Sequence, residues 1–172
     1  DPNSCVPPPN DTCKTAIALS LPGSATGNNT AALDDNTPEC VESSPNQGVW
    51  YSIVGNGETI TVTTCSDNTN FDTMIQVFCD CDSLGCINGN DDDDLCSLDG
   101  FLSTVSWCSR PGSTYYIHVG GFGSESGNFE ISTSSDGAAC SSPAACPGAC
   151  CFTGGECTES DSPVCVRNGG TF

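Results

Sequence analysis

Positive charge is nearly absent from this sequence. Lysine and arginine together number 3, against 22 aspartates and glutamates, for a net charge of −19. Such a surface repels phosphate backbones and anionic membranes and favours divalent cations, so nucleic acid is not expected as a partner. Long apolar runs are missing too: none approaches the roughly 20 residues of a membrane-spanning helix, and no membrane insertion is expected. Histidine occurs once, as His118. A Ser-His-Asp or Cys-His site would have to be built on that imidazole. It sits in mid-strand beside Tyr116, which reads as a structural or surface position. No pattern sets two carboxylates around a cleft, as glycoside hydrolysis needs. The chain therefore reads as non-catalytic. Segments of helical period and useful length are also lacking.

Cysteine is what the chain has in abundance, 15 residues of 172. That density implies an oxidising compartment, so the protein is expected to be secreted or on a cell surface. The chain starts at Asp1 without Met or a signal peptide, which reads as a processed N-terminus. Cys79-Asp-Cys81 and Cys150-Cys151 lack the paired spacing of structural zinc sites. Disulfides are expected instead. Cys13 is expected with Cys40, since both sit beside turns near the sandwich entry, and Cys65 with Cys108, if the strands they end are neighbours. Cys79, Cys81, Cys86 and Cys96 should pair among themselves. Cys140, Cys146, Cys150, Cys151, Cys157 and Cys165 should staple the C-terminal segment. Nine cysteines precede residue 138 and six follow it. The odd total predicts a partner beyond Phe172, with Cys5 the choice if one thiol is free.

The chain is organised around Pro111 to Phe122 and its return through Gly127 to Ser132. Tyr115, Ile117 and Val119 alternate with Tyr116 and His118 as in a strand, and Phe129 and Ile131 mark a returning one. With Gly120-Gly121 at the reversal, the pair reads as a hairpin with a long loop. Further strands are expected over Thr15–Leu19, Ser24–Thr30, Gly48–Val54, Glu58–Cys65, Phe71–Phe78 and Ser103–Cys108. Ser24–Thr30 is polar and reads as an edge. About eight short strands make an all-β antiparallel sandwich over residues 11–137. Residues 1–10, with Pro7-Pro8-Pro9, form an extended arm. Residues 138–172 are too few for a core of their own and depend on disulfides at about 2–4 kcal/mol each.

Asn10-Asp-Thr-Cys13, Val49-Trp50-Tyr51-Ser52, Phe71-Asp72-Thr73, the Asn90-Asp91-Asp92 loop and Gly112 to Ile131 occur here in a characteristic order. In that order the chain resembles the bacterial pre-peptidase C-terminal domain family over about residues 10 to 135. The versions in secreted planctomycete-type proteins are the most similar. The resemblance implies a jelly-roll-like sandwich appended to secreted enzymes or surface proteins, without catalysis of its own. Residues 148–157 and 165–172 resemble a short Cys-rich repeat that follows such sandwiches.

Three constellations carry possible function. Asn88-Gly-Asn90-Asp91-Asp92-Asp93-Asp94 sets four carboxylates side by side. Like charges near 4 Å repel by about 1 kcal/mol per pair even in water, and Ca²⁺, which takes six to eight oxygens, relieves that. Asn88, Asn90, Asp91, Asp92, Asp93 and Asp94 are the expected ligands, although the spacing is not an EF-hand. Asn10-Asp-Thr12 and Asn28-Asn-Thr30 are N-glycosylation sequons, expected at the surface if they carry glycan. Trp50, Tyr51, Trp107, Tyr115 and Tyr116 are either a sugar-stacking platform or sandwich core. Two functions follow. One is a structural subunit that joins copies of itself head to tail in a glycosylated extracellular fibre or surface layer. The other is a carbohydrate-binding or adhesive accessory module.

Overall fold

The computed structural model describes residues 6–40, 44–45, 47–96, 100–144, 148–151 and 157–160. A 3₁₀ turn at Cys13–Thr15 precedes nine sandwich strands. These are β1 (Ile17–Ala18), β2 (Gly23–Asn28), β3 (Gly48–Val54), β4 (Glu58–Thr63), β5 (Thr73–Phe78), β6 (Cys86–Asn90), β7 (Thr104–Cys108), β8 (Thr114–Gly121) and β9 (Asn128–Ala139). One sheet has the order β1-β3-β8-β5-β6 and the other β2-β9-β4-β7. Among β2 to β9 the first strand pairs with the last, and the second with the seventh. That nesting is the topology of a jelly roll. Two further strands, β10 (Gly148–Cys151) and β11 (Cys157–Ser160), form an antiparallel ribbon.

The core lies where the inward faces meet. Ile60, Val62, Val105, Trp107, Phe129 and Ile131 from the four-stranded sheet pack on Val49, Tyr51, Ile53, Ile75, Val77, Tyr115, Ile117 and Val119 from the other. Burying one such side chain stabilises by about 1.5–3 kcal/mol. The β8–β9 hairpin expected from the sequence is corrected: β8 and β9 stand in opposite sheets. Their apolar faces meet across the core, and the loop between them is a crossover. Its glycines are needed for close approach. A Cβ on Gly121 would lie 2.0 Å from the Glu125 carbonyl oxygen, and one on Gly127 would lie 2.2 Å from Asn70 Oδ1. The hairpin that does form joins β5 to β6.

The outer face of the five-stranded sheet is covered as well. Trp50, Met74, Gln76, Phe78 and His118 are each at most 1% exposed. Residues 35–40, between β2 and β3, form a strap across them. Asp35 Oδ2 accepts from Trp50 Nε1 at 2.6 Å. Thr37 Oγ1 donates to Gln76 Oε1 at 3.0 Å, and Gln76 Nε2 donates to the Pro38 carbonyl at 3.2 Å. Thus β5 is buried on both faces, which explains its nearly unbroken apolar run.

Three of the four sheet edges are covered by the chain itself. Beside β3, the Asn10 carbonyl accepts from Trp50 N, Asn10 Nδ2 donates to the Trp50 carbonyl, and Leu19 N donates to the Ser52 carbonyl. Only the two-residue β1 lies outside. Cys40, at the end of the strap, is joined to Cys86 on β6. On β7, Asn90 Oδ1 accepts from Thr104 N, Asn88 Nδ2 donates to the Ser106 carbonyl, and Ala144 N donates to the Cys108 carbonyl. The fourth edge is β2, and no hydrogen bond from a described residue outside β9 reaches the backbone of Ser24–Asn28.

The expected disulfide pairings are corrected. The bonds are Cys13–Cys81, Cys40–Cys86, Cys65–Cys96 and Cys108–Cys140. Cys79 is disulfide-bonded too. Cys65 cannot meet Cys108 even though β4 and β7 are neighbours. The strands are antiparallel with Thr63 opposite Thr104 and Thr59 opposite Cys108, so the two cysteines lie at opposite ends of the ladder. Cys13 misses Cys40 because the loop after β5 reaches the 3₁₀ turn first, where Lys14 Nζ also lies 2.8 Å from Asp82 Oδ1. Cys81, Cys86 and Cys96 therefore pair with Cys13, Cys40 and Cys65 rather than with one another. The sandwich continues past residue 137, through the end of β9 to the Cys108–Cys140 bond and Ala144, which packs on the core. Cys5, Cys146 and Cys165 lie outside the described residues, and the side chains of Cys150, Cys151 and Cys157 are likewise outside them.

Candidate functional site

Strand register builds the acidic corner. β5 and β6 run antiparallel with Ile75 opposite Asn90, so the residues after Asn90 run beside those before Ile75. Asp91 and Asp92 thereby meet Asp72, and one carboxylate oxygen from each lies within 4.8 Å of the others. Ser103 fixes the corner from behind. Its Oγ bonds the Asp91 carbonyl at 2.6 Å and the Thr73 carbonyl at short range. The crossover loop closes the other side, where Phe122 N donates to the Asp72 carbonyl at 3.1 Å. Glu125 Oε2 accepts from Asp72 N at 3.0 Å. An open cleft of about 400 Å³ adjoins the carboxylates, lined by Thr69, Asn70, Phe71, Asp72, Phe101, Leu102 and Glu125.

The electrostatics follow from this crowding. Burial pushes the Asp72 carboxyl up to about 6, and the charges of Asp91, Asp92 and Glu125 add to the shift. Its Oδ1 is buried and accepts no hydrogen bond. Among the described residues it has no positive partner. The donor set is all oxygen, which suits a hard cation such as Ca²⁺ and not a soft metal. The grouping of Asp93 with Cys65 and Cys96 is no metal site, because those two cysteines are bonded to each other.

Of the six ligands expected from sequence, the structure brings together Asp91 and Asp92. Asn88 and Asn90 lie on β6, where their side chains bind the backbone of β7. Asp93 lies on the following turn, outside that group, with its Oδ1 accepting from Leu95 N at 3.0 Å. Asp94 stays exposed on the same turn. Sequence reasoning missed Asp72 and Glu125, which come from distant parts of the chain. The usable signal for Asp72 was its place at the entry of the strand that pairs with the acidic run.

The two sequons differ. Asn10 is 5% exposed and its Nδ2 donates to the Trp50 carbonyl at 2.9 Å, which corrects its expected surface position. That nitrogen is the one a glycan needs. Asn28 is exposed, with Nδ2 2.8 Å from Asn128 Oδ1. Trp50, Tyr51, Trp107 and Tyr115 are buried in or against the core, and Tyr116 is half-buried. Burial pushes the Tyr51 phenol up to about 12. None of the four buried rings offers a face to a sugar. His118 is fully buried, stacked on Trp50 with ring centroids 4.5 Å apart, and Nε2 lies 3.4 Å from Asp35 Oδ2.

No protein-family model and no curated protein matches the chain. Among solved structures it is similar to the pre-peptidase C-terminal domain of a collagenase from Bacillus anthracis, at 14% identity, with 69% of this chain and 93% of that chain covered and a TM-score of 0.47. The architecture above rests on this chain's own strand order, and the likeness adds no argument about what the chain does.

Proposed function

We propose that this chain is a non-catalytic structural subunit of an extracellular assembly, joining copies of itself head to tail and taking Ca²⁺ at the acidic corner. One observation carries the reading. Among the described residues every sheet edge is short or covered except β2, a six-residue edge without charge or internal proline. Proteins normally guard such edges, because unpaired N–H and C=O groups template pairing with another chain. The disulfides support an oxidising, extracellular setting. The burial of His118 supports the absence of imidazole chemistry. The carbohydrate-binding alternative lost its best support with the burial of the aromatic rings.

Electron microscopy of the secreted chain tests assembly. Regular polymers are expected, and dispersed particles that bind glycans would overturn the reading. Calorimetry tests the cation. Chelator-treated protein at pH 7 should bind Ca²⁺ with a Kd on the order of 10⁻⁴–10⁻³ M, the range of extracellular modules. Binding should weaken at pH 5, where Asp72 is mostly protonated. Asp72→Asn with Asp92→Asn should abolish it. No heat and no thermal stabilisation at pH 7 would refute the site.

A further inference from the structure

The β2 edge needs an occupant, and the chain carries a segment suited to it. Gly23–Asn28 pairs with β9 along its whole length, from Gly23 opposite Thr133 to Asn28 opposite Asn128, and along its other side about 20 Å of ladder is unpaired among the described residues. Its inward residues are Gly23, Ala25 and Gly27, and its outward ones Ser24, Thr26 and Asn28. The strand bears no charge on a molecule of net charge −19. An added strand therefore meets no carboxylate on the edge itself.

Residues 1–9 precede the point where the body begins. Asn10 is that point: it is buried and hydrogen-bonded through both carbonyl and side chain to Trp50. Val6 is the one non-proline apolar side chain of the arm apart from Cys5, and it is 73% exposed. The three prolines at 7–9 favour polyproline II, a stiff spacer of about 3.1 Å per residue. They cannot donate to a ladder. Asn3, Ser4, Cys5 and Val6 carry N–H groups, and every residue of the segment 1–6 carries a carbonyl, whereas the Pro8 carbonyl already accepts from Asp11 N at 3.1 Å. Residues 1–6 equal in number the six residues of β2.

We propose that residues 1–6 of one copy add to β2 of the next as an extra strand, with Pro7–Pro9 as the spacer that carries them there. This rests on the assembly reading above and names its partner segment. The contact is heterologous, since an arm meets an edge and not another arm, so it propagates into a filament wherever its rotation does not close a ring. Backbone hydrogen bonds would supply the affinity, and Val6 the apolar contact that its own molecule does not give it.

The test compares the full chain with a chain lacking residues 1–6 and with the double variant Ser4→Pro, Val6→Pro. Substitutions in the arm leave the sandwich intact, which an unchanged melting temperature verifies. Light scattering should show polymers for the full chain and monomers for both variants. Hydrogen exchange at Gly23–Asn28 should slow at least ten-fold in the polymer relative to the variants. A synthetic peptide of residues 1–9 should block growth. Three results overturn the proposal. Undiminished polymers from both variants would reject the arm while leaving assembly standing. A closed dimer pairing β2 with β2 would reject the arm as occupant. A full chain that stays monomeric would reject the assembly reading and this inference with it.

Discussion

Asp72 carries the charge crowding of the acidic corner. Its folded value of about 6 lies above its ordinary 3.8, from burial first and then from Asp91, Asp92 and Glu125. Linkage gives the sign: between those values the folded state holds more proton than the unfolded chain, so this group's contribution to stability falls as pH rises from about 4 to 6. Asp80, Glu130 and Asp136 are shifted the other way by hydrogen bonds. Asp72→Asn isolates the term. Without Ca²⁺, the variant should gain most over the parent at pH 7 and least at pH 4 in thermal melts. A difference that does not grow with pH would contradict the assignment. His118 sets a different constraint. A Cβ on Gly48 would lie 2.1 Å from its Nε2, and the ring is held between Trp50 and the strap. Gly48→Ala should cost about 1–3 kcal/mol by overpacking, read as a lower unfolding midpoint; an unchanged midpoint would mean the strap yields freely.

At the level of elements, strands with one apolar face were legible, and what depends on distant partners was not. Ile60 and Val62 alternating with threonines announce β4, and Val49, Tyr51 and Ile53 announce the inward face of β3. Cys86-Ile-Asn-Gly-Asn90 has one apolar residue and reads as loop; pairing with β5 makes it β6. The strap has no period at all, because it is fixed by side chains reaching up from the sheet, notably Trp50 and Gln76. The β8–β9 stretch has the local grammar of a hairpin, and only the nested strand order sends its halves to opposite sheets. The acidic corner divides the same way. Asp91 and Asp92 are adjacent in sequence and visible there, whereas Asp72 and Glu125 arrive through register and crossover. Antiparallel register also undid the Cys65–Cys108 pairing.

At the largest scale the sandwich is a jelly roll pinned by disulfides at both ends, with the β2 edge unpaired among the described residues. Cys13–Cys81 and Cys40–Cys86 fasten the entering chain and the strap, Cys65–Cys96 ties the chain after β4 to the β6–β7 loop, and Cys108–Cys140 ties β7 to the end of β9. That reinforcement suits a subunit that must keep its shape outside a cell. A net charge of −19 opposes close approach of copies, so the proposed Ca²⁺ site and uncharged docking edge would both favour contact. Head-to-tail joining in a filament adds copies beyond two, and this distinguishes it from dimerisation. Sedimentation velocity of the full chain with Ca²⁺, across a wide concentration range, tests the central claim. The account predicts a weight-average sedimentation coefficient that keeps rising with concentration. A single monomer boundary throughout, or a plateau at two copies, would contradict it.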